Sequence, residues 1–242
     1  MIDLNKLKIE IFADGADFDS MLKLNSNPLI KGFTTNPTLM KKAGVSDYKD
    51  FAQKVIKEIN KPISFEVFAD DFESMKLQAE EIASWGSNVN VKIPITNTKG
   101  EKSTSLIRDL SNQGINCNVT AIFTLDQLSE VLDHLNNNTP AILSIFAGRI
   151  ADTGLDPVPI MKKAVKLTNH NEKFKILWAS PRELLNILHA DEVGCHIITV
   201  SHDILKKIDL INKDLTKFSL ETVSMFYSDA KNAGYKIKIN NK

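Results

Sequence analysis

The chain has 242 residues, and α/β barrels commonly use ~200–250 residues as one domain. It carries 30 Lys+Arg against 30 Asp+Glu, a formal net charge of +0 at pH 7, so there is no bulk electrostatic drive to hold nucleic acid or an anionic membrane surface. Hydrophobic residues at 43% and charged residues at 25% give the balance of a globular protein, which excludes extensive disorder, collagen and coiled coil.

Short runs rich in Val, Ile and Phe recur along the chain and have the length and chemistry of strands. The first is KIEIFAD from Lys8 and the second KGFTTN from Lys31. DYKDFAQKVIKEIN then has helical spacing, with Phe51, Val55, Ile56 and Ile59 on one face. The third strand is ISFEVFAD from Ile63, followed by the helix FESMKLQAEEIASWG with its stripe Met75, Ala79, Ile82 and Ala83. NVNVKIPI from Asn88 and INCNVTAIF from Ile115 are the fourth and fifth strands. TLDQLSEVLDHLNNN opens on Thr124 as N-cap and carries Leu128, Val131, Leu132 and Leu135. AILSIFAG from Ala141, FKILWAS from Phe174 and HIITVS from His196 complete eight strands. A last helical pair, LTKFSLETVSMFYSDAKNAG, follows them.

Strand and helix alternating eight times is the pattern of βα units in a parallel sheet. Eight units in this length predict a (β/α)8 TIM barrel rather than an open sheet. An open doubly wound sheet would carry a Gly-rich phosphate turn after an early strand, and ADGADFDS has no G-x-G-x-x-G. The prediction is one domain over residues 1–242, of which about 215–242 is a C-terminal helical extension. Cys117 and Cys195 are too few for a disulfide scaffold and form no C-x-x-C pair, which fits a reducing compartment. No apolar run reaches ~18 residues, and MIDLNKLKIEIFAD alternates charge and apolar residues too closely for a signal peptide. The expectation is a soluble cytoplasmic protein with neither a membrane nor a nucleic-acid partner.

Strands of a parallel barrel are covered on both faces and should read as continuous apolar runs. These do not. The first ends on Asp14 and the second on Thr34 and Asn36; the third carries Glu66 between Phe65 and Val67. The fourth carries Asn90 and Lys92, the fifth Asn118 and Thr120, the sixth Ser144 and Phe146 with Arg149 beyond, and the seventh ends on Ser180 with Arg182 beyond. Period-two alternation puts Asn90 with Lys92, Asn118 with Thr120, and Ser144 with Phe146 on common faces. If that face is the lumen, the polar groups gather at the C-terminal ends of the strands, where barrel enzymes place their chemistry. An unpaired buried polar group costs ~1–3 kcal/mol, so such a set is expensive unless it works as a site. Any single Ser, Thr or Asn reads equally well as a solvated strand end, but Lys92 and Glu66, flanked by apolar residues, do not. Burial disfavours an ammonium relative to the neutral amine, and a neutral amine is the nucleophile of Schiff-base chemistry on carbonyls. Asp14 and Glu66 are candidate proton-transfer groups, and Arg149 and Arg182 can hold a phosphate in bidentate fashion. Together they point to a ketose or aldose phosphate. The five histidines show no metal-ligand spacing, so no metal site is expected. Cys117 alternates away from Asn118 and reads as a small core residue. Trp178 reads equally as a lumen residue or one packed on a helix.

With these residues in place the chain resembles the transaldolases, over nearly the whole barrel from IFADGAD to WASPRE. GFTTNPTL around Asn36, FEV at Glu66, VKIP at Lys92, NCNVTAIFTLDQ around Asn118 and Thr120, SIFAGRIAD from Ser144 and ASPR at Ser180 and Arg182 carry the likeness in order. The resemblance implies Lys92 as the Schiff-base lysine, Asp14 as general acid/base, and Glu66 and Thr120 as the holders of a proton-relaying water. It implies Asn36, Asn118 and Ser144 for the dihydroxyacetone unit and Arg149, Ser180 and Arg182 for the phosphate; alternation with Ser144 puts the Phe146 ring beside the Schiff base. The family passes that three-carbon unit from sedoheptulose 7-phosphate to glyceraldehyde 3-phosphate, giving erythrose 4-phosphate and fructose 6-phosphate, without cofactor or metal. The short branch, which this chain is similar to, also contains fructose-6-phosphate aldolase. That aldolase typically has Gln where this chain has Glu66 and Tyr where it has Phe146, so both positions favour transaldolase. Two departures, Gly15 in place of a small hydroxyl residue and the form of WASPRE, leave a modified or activated sugar open as the substrate. A binding barrel without catalysis is the non-enzyme alternative; Lys92, Asp14 and Glu66 together argue against it. In the short branch the resemblance implies a homo-oligomer built through the amphipathic C-terminal helix, with Leu220, Val223, Phe226 and Tyr227.

Overall fold

All eight apolar runs form strands, and they pair in chain order into a closed barrel, with β8 returning to β1. A computed structural model describes residues 2–238. The strands are β1 (Glu10–Asp14), β2 (Ile30–Thr34), β3 (Ile63–Glu66), β4 (Val89–Pro94), β5 (Cys117–Ile122), β6 (Ala141–Ile145), β7 (Phe174–Trp178) and β8 (Ile197–Ser201). Every pairing is parallel. Helices α1 (Phe18–Asn25), α2 (Pro37–Lys42), α3 (Tyr48–Glu58), α4 (Phe72–Ser84), α5 (Thr104–Asn112) and α6 (Leu125–Leu132) connect the first six strands. Then come α7 (Ala147–Asp152), α8 (Val158–Thr168), α9 (Leu185–Glu192), α10 (His202–Leu205) and α11 (Leu215–Asn232).

The helices bury the stripes their spacing predicts: Val55 and Ile59 around α3, Met75, Ala79 and Ile82 on α4, Leu128 and Val131 on α6. Each Val, Leu, Ile and Met among them contributes roughly 1.5–3 kcal/mol when fully buried. Thr124 caps α6 as expected and forms a capping box with Gln127. After β8, where a full helix completes the βα pattern, there is only the single turn of α10 and a 3-10 turn at Ile208–Leu210.

Inside the barrel, Phe12, Ile142, Leu177, Ala179 and Ile197 pack as one cluster, with Phe146 against it. Phe12 can lie across the lumen because Gly32 faces it; a Cβ at 32 would sit 2.6 Å from the ring. Leu177 points inward, so alternation turns Trp178 outward onto the helix layer, where it is fully buried.

The chain divides into two compact units, residues 3–206 and residues 207–242 with 1–2. Within the second, Asn212 clasps Ile2 from both sides: Ile2 N–H donates to Oδ1 at 2.8 Å, and Nδ2 donates to the Ile2 carbonyl at 2.6 Å. The segment expected to be a helical pair is one continuous helix, α11, because no Gly or Pro interrupts Leu215–Asn232. Asp214 caps it, accepting from Lys217 N–H at 2.8 Å. Residues 239–242 of the expected extension lie outside the described residues. No described helix is long and apolar enough to cross a membrane.

Candidate active site

Barrel closure sets Lys92 between Glu66 on β3 and Asn118 on β5, its register partners. The Lys92 side chain points into the lumen and the residue is only 7% exposed. Nζ lies 2.9 Å from Glu66 Oε2 and donates to the Thr35 carbonyl at 3.0 Å. A pair so far from water is little screened by salt.

Asp14 ends β1 beside β2, where Thr34 donates to Oδ1 at 2.7 Å. The Thr34 hydroxyl also bonds that of Thr199, which joins β8 to the same network. Burial pushes the Asp14 carboxyl above its ordinary value, against the pull of Lys92 and of the Thr34 hydrogen bond. A carboxylate with a raised pKa is a stronger base, and its ionised form costs stability. The folded state holds this proton more tightly than the unfolded chain, so stability declines as pH rises from the unfolded value toward the folded one and stays lower above it. Asp14→Asn is therefore expected to raise Tm at neutral pH while removing activity, since the amide keeps an oxygen to accept from Thr34. A variant less stable than the parent at pH 7, with no added stability there relative to pH 3, contradicts this.

Asn118 is held from both sides. Its Nδ2 donates to Ser64 Oγ at 2.9 Å, and its Oδ1 accepts from Ser144 Oγ at 2.7 Å, a chain across β3, β5 and β6. Thr120 sits where β5 bulges: between Val119 and Ile122 the strand has one residue more than β6, and Ala121 takes φ 60°. The Thr120 hydroxyl is buried without a hydrogen-bond partner among the described residues. Asn36 caps α2, its Oδ1 accepting from Leu39 N–H at 2.9 Å with Pro37 next at the first helical position, which is the local reason for the TTNP run.

At the rim, the Arg149 guanidinium carbon lies 5.5 Å from the centre of the Phe146 ring, which also meets Phe123 at 5.7 Å. Ser180 holds φ 59°, a left-handed conformation uncommon outside glycine, and this turns its carbonyl onto Gly148. Arg182 forks onto Asp152, with Nε 3.0 Å from Oδ1 and Nη2 on Oδ2, and its side chain is 47% exposed.

A cavity of about 120 Å³ opens among these groups. Asp14, Asn36, Lys92, Thr120, Ser144, Phe146, Arg149 and Ser180 line it. Of the remaining candidates, Glu66 reaches the site through Lys92 and Asn118 through Ser144. Arg182 does not line the cavity and is engaged by Asp152. A larger hollow of about 380 Å³ beside Phe18 and Lys54 holds no buried lysine; of its acids, Asp17 and Asp47 cap helices and Asp50 lies in the first turn of α3. The chemistry, not the size, singles out the lumen. Cys117 is buried off the lumen, and burial pushes its thiol up to about 12, which makes it inert.

Sequence reasoning missed Thr199, which the alternation of Ile197, Thr199 and Ser201 could have flagged. It also missed Tyr48, for which the sequence holds no signal. The Tyr48 hydroxyl accepts from Glu66 N–H at 2.8 Å and donates to the Glu66 carbonyl at 2.9 Å. β3 pairs with β2 only as far as Thr34 and Ser64, and the phenol takes the place of the missing rung. Tyr48→Phe keeps the ring but leaves two backbone groups without partners, at ~1–3 kcal/mol. The expected result is a kcat lowered several-fold with KM nearly unchanged, because Glu66 loosens while the phosphate end stays intact; steady-state kinetics with equal loss in both parameters would contradict it.

Residues 11–240 match the family model described as Transaldolase/Fructose-6-phosphate aldolase. Among curated relatives, a "Probable transaldolase" of Thermoanaerobacter sp. (strain X514) is 34% identical over 230 residues, 95% of this chain and 100% of that protein. One from Carboxydothermus hydrogenoformans is 35% identical over 83% of this chain and 90% of that protein. One from Nitrosopumilus maritimus is 31% identical over 96% of this chain and 100% of that protein. A solved structure of a phosphonomutase candidate from Burkholderia cenocepacia superposes with a TM-score of 0.57 at 9% identity, covering 93% of this chain and 96% of that one, a likeness of fold alone.

Proposed function

The chain belongs to the transaldolase/fructose-6-phosphate aldolase family, and on that premise we propose that it is a transaldolase working through a Schiff base on Lys92. The observation that carries this is the buried Lys92 amine, paired with Glu66 in the same cavity as Asp14. Lys92 gives a proton to Glu66, and its Nζ attacks the ketose carbonyl. The carbinolamine loses water through protons passed by a water held between Glu66 and Thr120, leaving an iminium. Asp14 takes the proton of the C4 hydroxyl, the C3–C4 bond breaks, and its electrons are held as the enamine on Lys92. The aldose phosphate leaves. A second aldehyde is then attacked by the enamine, Asp14 returns the proton, and hydrolysis frees the product. Asn36 and Ser144 hold the hydroxyls of the dihydroxyacetone unit, with Asn118 bonded to Ser144 behind them. The phosphate sits at the rim by Arg149 and Ser180, with Arg182 oriented by Asp152. The reading needs no cofactor or metal, and its partners are small-molecule sugar phosphates. It takes sedoheptulose 7-phosphate and glyceraldehyde 3-phosphate to erythrose 4-phosphate and fructose 6-phosphate. It includes one domain over residues 1–242, of which about 215–242 is a C-terminal helical extension of the barrel, a cytoplasmic setting in carbohydrate metabolism by the pentose phosphate route, and a homo-oligomer through the C-terminal helix.

The second reading is an aldolase that releases free dihydroxyacetone. Phe146 weighs against it, because a phenyl ring on the lumen cluster brings no hydroxyl to the enamine. The test measures free dihydroxyacetone and newly formed ketose from fructose 6-phosphate with and without an aldehyde acceptor. New ketose formed only with acceptor, without free dihydroxyacetone, supports transaldolase; release of dihydroxyacetone without acceptor supports the aldolase. Turnover only of a modified ketose would move the substrate and keep the chemistry. Failure to trap any ketose phosphate with borohydride would leave a binding barrel.

Arg149→Ala is expected to raise KM for phosphorylated substrates about tenfold or more, the worth of one charge-assisted hydrogen bond. Arg182→Ala should cost less, because its guanidinium is already shared with Asp152 and half in water. Comparing KM for phosphorylated and unphosphorylated donors decides the point. Equal effects on both donor types would make the arginines structural.

A further inference from the structure

His202, outside the candidate set, stands beside Gly15, the residue that follows the candidate base. Ser201 is the register partner of Asp14, so Gly15 and His202 leave the barrel side by side. Glycine makes this contact possible: a Cβ at 15 would lie 3.0 Å from His202 Nε2 and 3.2 Å from Cε1. Nε2 is buried and has no hydrogen-bond partner among the described residues. Asp14 and His202 also line one side cavity of about 330 Å³, and Asp14 is the residue this cavity shares with the one around Lys92. The other charged groups around the side cavity are Asp17 at the start of α1, Lys42 of α2, and Asp203 and Lys206 of α10. Asp17 is committed to capping Ser20, and Lys206 lies 3.3 Å from Asp203. Asp14 is thus the buried acid closest in register to an imidazole nitrogen with no other partner.

We propose that His202 is a positioning residue for Asp14, the two titrating as a couple in which the charged imidazole holds Asp14 as the carboxylate and the side cavity gives the couple its route to solvent. This rests on Asp14 being the base of the proposed reaction. A cation beside a carboxylate favours the ionised form of both, and the influence is reciprocal. Burial holds the His202 imidazole below its ordinary value, with Lys206 adding to this, against the pull of Asp17, Asp14 and Asp203, so the charged imidazole belongs to the acid end of the range. Removing either member therefore moves the other in a fixed direction. Without the Asp14 charge, His202 titrates at lower pH. Without His202, Asp14 ionises at higher pH, and the acid limb of kcat/KM moves up.

The experiment follows the ring carbon resonance of His202 against pH by NMR in the full chain labelled with 13C-histidine, assigned by its loss in His202→Gln. It is run on the parent and on Asp14→Asn, and the pH profile of kcat/KM is measured for the parent, His202→Gln and Gly15→Ala. The expected results are a lower His202 midpoint in Asp14→Asn and an acid limb at higher pH in His202→Gln, with about a tenfold loss of kcat/KM at the acid end. Gly15→Ala, which presses the ring away without changing a charge, is expected to move the limb the same way by less. A His202 midpoint that Asp14→Asn leaves in place overturns the couple. A moved midpoint with an unmoved acid limb overturns its role in catalysis. A moved midpoint in a protein that cleaves no ketose phosphate upholds the couple and instead removes the transaldolase reading.

Discussion

Lys92→Ala is expected to leave a folded barrel with no measurable turnover, a loss of about four orders of magnitude or more, as when a covalent nucleophile is removed. Among the described residues no other amine is placed to substitute, because Lys92 is the lysine that lines the lumen cavity. The variant also strips Glu66 of its partner. Removing one member of a fully buried pair costs ~3–5 kcal/mol, but Glu66 keeps partial access to solvent, so the loss should be smaller. Lys92→Met separates the two effects: it refills most of the space with an apolar chain, so its Tm should recover toward the parent while activity stays absent. Borohydride with fructose 6-phosphate should place the adduct on Lys92 in the parent and on nothing in either variant. Mass spectrometry of the digested protein reads this directly, and an adduct on another lysine would falsify the mechanism.

Gly148→Ala is expected to be the most damaging single methyl in the barrel. The new Cβ would fall inside the van der Waals radius of the Ser180 carbonyl oxygen and 2.6 Å from its carbon. Neither side can yield cheaply. Gly148 N–H is bonded to the Ala179 carbonyl at 3.3 Å, and Ser180 already holds a left-handed conformation. Overpacking usually costs ~1–3 kcal/mol, and against fixed backbone the upper end applies. At about 2–4 °C per kcal/mol for a chain of this size, Tm should drop by roughly 6–12 °C. The segments that must part, the start of α7 and the loop after β7, carry Arg149, Ser180 and Arg182. The KM for phosphorylated substrates should therefore rise with the loss of stability. A normal melting curve with normal KM would mean that the loop relaxes freely.

Much of this architecture was legible along the chain. The eight strands fall where the apolar runs predict, and Lys92, Thr120, Ser144 and Phe146 face one cavity, as alternation requires. Asn36 was legible for a second reason, since Asn followed by Pro reads as a cap and a first helical position. Other features left no local trace. Nothing near Tyr48 distinguishes a surface tyrosine at a helix start from one that closes the end of β3. Ala121 is an ordinary alanine until β5 has to fit β6 with one residue to spare.

The sequence by itself determined the βα order and most of the residues that face the lumen. Both follow from side-chain period and residue chemistry, which are properties of neighbours along the chain. Only the tertiary structure decided who holds whom. It set Glu66 on Lys92, Asp152 on Arg182, Ser144 and Ser64 on Asn118, Tyr48 on the end of β3, and His202 over Gly15. It also turned Trp178 outward and reduced the last barrel helix to one turn. The reason is physical: these pairs join residues brought together by barrel closure, and hydrogen bonds and close contacts depend on distances of a few tenths of an ångström that no spacing along a strand specifies.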